Sequence, residues 1–208
     1  MKKRIPCICE NSFVVEISDE IDLDKDSGCL EQIKNGSFFN FTCPSCGKNN
    51  KPEFPVLLNW PSRGLKFEVI PELDRGEFYQ RKKAPAEKNQ VLPETIIGYP
   101  EMAERLTVIL DGYDPVPVEA IKYNLQLKAE EQYPDNEMEV RYYGSADGSL
   151  EFHIHGIKEN EVAVMKVPVS TYERTLNDYK SNPKAEIFKA LRFRTYLSYK
   201  NTMYPGAL

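Results

Sequence analysis

The sequence predicts an α+β fold, and three observations carry the prediction. Four of the five cysteines stand as two tight pairs near the start, Cys7-Ile8-Cys9 and Cys43-Pro44-Ser45-Cys46-Gly47, separated by a stretch that reads as strand, short helix, strand. Apolar residues recur at period two over 13–17, 65–69 and 138–165, the signature of half-buried strands. They recur at helical spacing over 100–129 and again beyond 170. The expected architecture is an N-terminal β module to about residue 75, then a region over 76–208 with helices, an antiparallel meander and C-terminal helices, either separate from the first module or one continuous domain with it.

In chain order, Phe13, Val15 and Ile17 share one face of a strand that leaves the first cysteine pair. The acidic segment Ser18 to Asp26 is a loop anchored by Ile21 and Leu23. Asp26 caps a helix of about two turns that Gly36 ends. In that helix Cys29 reads as a small buried apolar residue beside Leu30 and Ile33. Phe38 to Thr42 returns as a strand into Cys43. Val56 to Trp60 and Leu65 to Val69, joined by Pro61-Ser62-Arg63-Gly64, form a hairpin. Residues 81–90 carry Arg81, Lys82, Lys83 and Lys88 with almost nothing apolar, the composition of an exposed loop.

Pro100 suits a first helical position, and Met102, Ala103, Leu106, Ile109 and Leu110 mark one face of the helix it opens. Asp114-Pro115 opens the next, whose buried stripe is Val118, Ile121, Leu125 and Ala129. Strands follow through Met138–Tyr142, Leu150–Ile154 and Val162–Met165, with a turn over Gly144 to Gly148. Ser170-Thr171-Tyr172-Glu173 has capping-box spacing and starts a helix to about Lys180; Asn182-Pro183 starts a last one to about Lys200.

The two cysteine pairs are the strongest chemical signal. Each pair occupies one tight turn, and a fold that brings the turns together offers four thiolates to one ion. Cys7, Cys9, Cys43 and Cys46 are the predicted ligands of one structural Zn2+, because four thiolates fill a tetrahedral shell and leave no position for a reactive water. Pro44 stiffens the second turn and Gly47 permits a positive φ there. The odd cysteine count fits a reducing compartment, which keeps thiols free for metal.

Two further constellations are weighed. Both histidines lie in Glu151-Phe152-His153-Ile154-His155, where Glu151, His153 and His155 share a strand face; this is a solvated face or, alternatively, a second metal or acid–base site. Residues 183–208 place Lys189, Arg192, Tyr196 and Lys200 on one side of a helical wheel, either ordinary solvated charges or a grip for phosphate backbone or an acidic protein surface. No Gly-rich phosphate loop, G-x-S-x-G or H-E-x-x-H is present in the sequence.

With the cysteine pairs and the stretch Leu110-Asp111-Gly112-Tyr113-Asp114-Pro115-Val116-Pro117-Val118-Glu119-Ala120-Ile121-Lys122 in view, the chain resembles the CpXC-domain family of bacteria and archaea over roughly residues 4 to 130. The resemblance implies a zinc-ribbon-like start and, as the family is functionally uncharacterised, no activity. The chain departs from the family pattern at the first pair, where proline precedes the cysteines and one residue separates them.

Across 208 residues, 27 basic side chains stand against 32 acidic ones, a net charge of −5 that argues against non-specific coating of nucleic acid. Met1-Lys2-Lys3-Arg4 runs into Pro6-Cys7 without a signal-like apolar segment, which predicts a cytoplasmic protein. The functional expectation is a non-enzymatic adaptor or interaction module with a protein partner and no membrane insertion. The first alternative is a nucleic-acid binder using the zinc turns, the basic loop 81–88 and the C-terminal helix. The second is a metal-dependent hydrolase built on His153 and His155.

Overall fold

The computed structural model describes residues 1–81 and 92–203, which fall into two compact units, Met1–Ala103 and Glu104 onward. It has mixed helix and strand content with several antiparallel pairs. The first unit runs on to Ala103, past the residue-75 boundary expected from sequence, because a later strand joins the sheet begun by residues 56–70. The basic loop expected over residues 81–90 lies outside the described residues except for Arg81, which pairs with Glu77 at 2.8 Å.

In the first unit, β1 (Lys2–Pro6) and β2 (Ser12–Glu16) form a hairpin in the register Ile5 to Phe13. The loop expected after Ile17 contains a short strand, β3 (Glu20–Asp22), with Ile21 and Leu23 buried as anchors. Helix α1 (Ser27–Lys34) is capped as the sequence suggests: the Asp26 carboxylate accepts from the Cys29 amide at 3.0 Å. Cys29 and Ile33 are buried on its inner face.

The strand expected over Phe38 to Thr42 is mostly a turn, with only Phe41–Thr42 (β4) extended, paired to β5 (Asn49–Asn50). Phe39 takes φ 49°, and its ring stacks on Phe38 at 4.1 Å between centroids. Gathering both rings into one aromatic group requires the chain to bend where strand geometry would send alternate residues to opposite faces. The expected hairpin is present as β6 (Val56–Trp60) and β7 (Leu65–Ile70), in the register Val56 to Val69. β3 lies parallel to β6, and β8 (Glu94–Ile97) lies parallel to β7. Helix α2 (Arg75–Gln80) follows β7, and its Arg75 is held by Glu72 and Glu101.

The chain passes into the second unit within α3 (Tyr99–Leu110). Asp114 caps α4 (Pro115–Gln132), its carboxylate accepting from the Val116 amide at 2.9 Å, with Pro115 at the first turn. The stripe Val118, Ile121, Leu125 and Ala129 is buried as expected, against the meander β9 (Glu139–Ala146), β10 (Ser149–Lys158) and β11 (Glu161–Pro168). β10 is the central strand, antiparallel to both neighbours, and turns Leu150, Phe152 and Ile154 inward. Gly156 sits at φ 89° where the β10–β11 ladder is irregular, and a side-chain carbon there would meet the Glu137 carbonyl oxygen at 2.0 Å.

Helix α5 (Val169–Ser181) matches the expected span. The last helix does not. In place of a helix to about Lys200 stand a short α6 (Glu186–Ala190), strands β12 (Arg192–Phe193) and β13 (Tyr196–Leu197), and a 3-10 segment over Tyr199–Met203. Arg194 takes φ 57° to close the β12–β13 turn. Side chains then fix the bent chain: Asn201 donates to the Leu191 and Tyr196 carbonyls, and Arg105 donates to the Leu197 carbonyl at 2.7 Å. Carbonyls satisfied in this way need no helical partner.

Candidate metal centre

The first cysteine turn follows directly from β1. The Cys7 amide donates to the Asn11 carbonyl at 2.8 Å and the Glu10 amide donates to the Cys7 carbonyl at 2.9 Å, while Glu10 takes φ 65°. The strain of that left-handed residue is what lets one intervening residue, the exposed Ile8, bring two sulfurs to the same side. The second turn joins β4 to β5: the Cys43 amide donates to the Lys48 carbonyl at 2.8 Å and the Gly47 amide to the Cys43 carbonyl at 2.9 Å. Gly47 takes φ 72°, the conformation its lack of a side chain permits. Asn11 donates from its amide to the Ser45 hydroxyl and so ties one turn to the other.

The sulfurs of Cys7, Cys9, Cys43 and Cys46 all lie within 4.8 Å of one another. Cys7 to Cys46 is 3.6 Å and Cys9 to Cys43 is 3.8 Å. A tetrahedron of sulfurs at metal–sulfur bonds of about 2.3 Å has edges of about 3.8 Å, so these four cysteines can hold a metal ion. Cys43 and Cys7 are buried, and Cys9 and Cys46 are exposed, which places the cluster at the surface with one side inside the fold.

Electrostatics favour the same conclusion. The hydrogen bond from the Cys9 amide, with help from the neighbouring sulfurs and against the effect of desolvation, brings the Cys7 thiol down to about 6. At Cys46 the Lys48 amide favours the thiolate, yet contacts with Cys9, desolvation and contacts with Cys7 and Cys43 prevail and push it up to about 12. The first thiolate forms readily and the last is resisted, as expected when charge accumulates in one small volume. A bound cation relieves that repulsion.

Cys29, the fifth cysteine, is buried in α1, where desolvation and then the Asp26 charge push its thiol up to about 12. It is an apolar core residue, chemically quiet.

The histidine strand keeps the face assignment expected of it, with Phe152 and Ile154 inside and Glu151, His153 and His155 on the other face. His153 lies 3.0 Å from the Glu151 carboxylate and stacks on Tyr143 at 4.0 Å. The rings of His153 and His155 are 6.4 Å apart, and burial followed by the Arg141 charge lowers the pKa of His155. Among the described residues, the four cysteines are the group of three or more potential ligands close enough to share an ion; the histidines do not form one. The basic stripe of the alternative nucleic-acid footprint is likewise not a helix face, since Arg192 is in β12 and Lys200, in the 3-10 segment, is engaged by Glu139 at 2.6 Å.

A cluster unforeseen from the sequence lies in the second unit. Lys122 is 2.6 Å from Glu104 and 3.1 Å from Glu119, and Arg105 is 3.6 Å from Glu119. All four side chains are buried. Burial raises the pKa of Glu104 despite Lys122, while at Lys122 the two carboxylates overcome desolvation and raise its own. The carboxylates also hold main chain: Glu119 accepts from the Tyr199 amide and Glu104 from the Tyr142 amide, each at 2.8 Å. The only sequence signal was a pair of charges, Glu119 and Lys122, three positions apart amid Val116, Val118, Ala120 and Ile121.

No helix among the described residues is long and apolar enough to cross a membrane. No solved structure matches the chain. A protein of Treponema pallidum (strain Nichols), described as uncharacterised, is 29% identical over 214 residues, covering 95% of this chain and 97% of its own. The family model described as CpXC protein matches residues 5–122, a span that includes both cysteine turns, α1, all of α3 and the start of α4. The chain belongs to the CpXC family.

Proposed function

We propose that the protein is a non-enzymatic, zinc-stabilised cytoplasmic adaptor, an interaction module whose ion fixes the N-terminal turns. The observation that supports this reading is the donor set: four sulfurs at tetrahedral spacing, two on each of two turns. Zinc fits because it accepts four thiolates without a geometric preference of its own. When bound, the ion would supply a cross-link between residues 7–9 and 43–46, and with its shell filled by sulfur it would hold no water to activate. Asn11 and the two amide-rich turns orient the sulfurs, and Cys43 and Cys7 anchor them to the interior. A reducing cytoplasm suits five cysteines in the thiol form.

Elemental analysis of the purified protein tests the reading. About one zinc per chain is expected, falling to near zero in Cys43→Ser, with no turnover of phosphoester, peptide or glycoside substrates. A second ion per chain, or hydrolysis abolished by His153→Ala in a folded protein, overturns it.

A further inference from the structure

The two edges of the β9–β11 meander are treated differently. On the β9 edge, the outward main chain is taken up by side chains: the Val140 amide donates to the Tyr199 hydroxyl at 3.0 Å and the Tyr142 amide to the Glu104 carboxylate at 2.8 Å. An edge capped in this way no longer templates another strand. β11 has β10 on one side and, among the described residues, neither a strand nor a side-chain cap on the other. Val162, Val164 and Met165 are exposed along it, and only Glu161 and Lys166 of its eight residues carry charge.

Beside this open edge, between β11, α4 and α5, runs a groove of about 740 Å³. Leu125, Leu127 and Met165 give it an apolar surface, and Leu127 and Met165 are 45% and 43% exposed. Lys128, Lys166 and Arg174 also line it, against the single carboxylate of Asp178. Three cations to one anion is a local reversal of sign on a chain of net charge −5.

We propose that the β11 edge and this groove receive an extended acidic segment of a partner protein, which adds to the sheet as a further strand. The inference rests on reading the protein as an interaction module. Main-chain pairing with β11 supplies affinity, and the alternation of side chains supplies selection. Every second residue of the segment faces the groove, where central apolar side chains lie on Leu127 and Met165 and flanking carboxylates reach Lys128 and Arg174. The alternate residues fall on the other face of the sheet, which Lys166 shares, and carboxylates suit them too. The eight residues of β11 set the length of the segment at about the same number.

The test uses the full-length, metal-loaded protein and the fluorescent octapeptide Glu-Glu-Val-Glu-Val-Glu-Glu-Glu, whose odd positions put two Val between two Glu on one face, followed by anisotropy. Saturable binding is expected, weakening as salt rises, and at least about tenfold weaker for the double variant Lys128→Glu/Arg174→Glu. Two further peptides carry N-methyl groups on odd or on even residues. One of them is expected to lose binding and the other to keep it, because only one set of amides faces β11. Equal binding by both methylated peptides, equal binding by a Val and Lys peptide, or no binding of the acidic peptide at about millimolar concentration overturns the proposal. So does a dimer in sedimentation that Val164→Lys dissociates, since the edge would then be filled by a second copy. Failure of the peptides in a protein that keeps its ion and shows no turnover removes the groove alone. Hydrolysis dependent on His153 would remove the adaptor reading alone.

Discussion

In the first unit, Cys7 and Cys46 stand 39 positions apart and meet through sulfur; in the second, Glu119 and Tyr199 stand 80 positions apart and meet through a buried carboxylate. The first unit has short strands and turns around its cysteines, many of them two to five residues long, so a metal cross-link there would compensate for the little apolar surface these turns can bury. The second unit has a continuous apolar core from Val118 and Ile121 through Val140, Leu150 and Phe152, and needs no cross-link for cohesion. Its ion network does something else. Buried pairs return little net stability relative to apolar residues of the same volume, but a misplaced partner is costly, so they select one arrangement of α3, α4, β9 and the C-terminal segment. On the proposed reading, a metal gives cohesion to the cysteine turns, and buried charge gives register where the core is ample.

The strongest way to break this contrast is to remove the ion. Chelation, or Cys43→Ser, is expected to cost the first unit on the order of 10 kcal/mol of metal-linked stability. Hydrogen exchange should then show loss of amide protection over residues 1–50 while strands 139–168 stay protected. Equal loss in both units would mean that the metal also holds the second.

Glu119→Ala strikes the other side. It leaves Lys122 and Arg105 short of a counter-charge and the Tyr199 amide without its acceptor, at an expected cost of about 3–5 kcal/mol by urea denaturation. Metal content should not change. A loss below about 1 kcal/mol would show the network to be dispensable.

Gly156→Ala probes the backbone of the second unit. The left-handed φ and the 2.0 Å approach to the Glu137 carbonyl oxygen predict a loss of about 2–3 kcal/mol, read from the thermal midpoint. Gly76→Ala, with open space around its side-chain position in α2, should leave stability unchanged or raise it slightly.

The smallest effect is expected in acid. Burial alone would raise the Glu139 pKa, but the Lys200 charge and the hydrogen bonds from Arg141 and Lys200 outweigh it and hold the carboxyl at about 2, below the ordinary 4.5. A carboxyl depressed by folding stabilises the native state above its unfolded value, and that stability drains away as pH falls from near 4.5 toward 2. Glu139→Gln should flatten this part of the stability profile. A profile unchanged by the substitution would show that the three charges do not act together.

Much of this was legible in the chain because the relevant residue types announce themselves. Alternation at Leu65–Val69 and Leu150–Ile154 gave the hairpin and the meander, and Asp26 and Asp114-Pro115 gave two helix starts. Among the features missed, three have clear physical reasons. β8, with its short Thr95-Ile96-Ile97 run, has no alternation to separate strand from helix. Arg192 to Lys200 fits a helical wheel, and only the carbonyl contacts of Asn201 and Arg105 turn it into a strand pair. Nothing in the sequence marks Glu104 and Lys122 for burial, because a lone charge is almost never buried; burial becomes tolerable only through partners that the sequence does not place.

By itself, then, the order of residues determined which sulfurs are available, where helices begin, and which side chains of each strand turn inward, since these depend on residue type and on periods of 2 and 3.6. The tertiary structure alone decided that the two cysteine turns converge, that four charges bury one another, and that one edge of the meander is capped while the other is open. Those outcomes depend on segments tens of residues apart being brought within a few ångströms, and no local pattern encodes a distance between them.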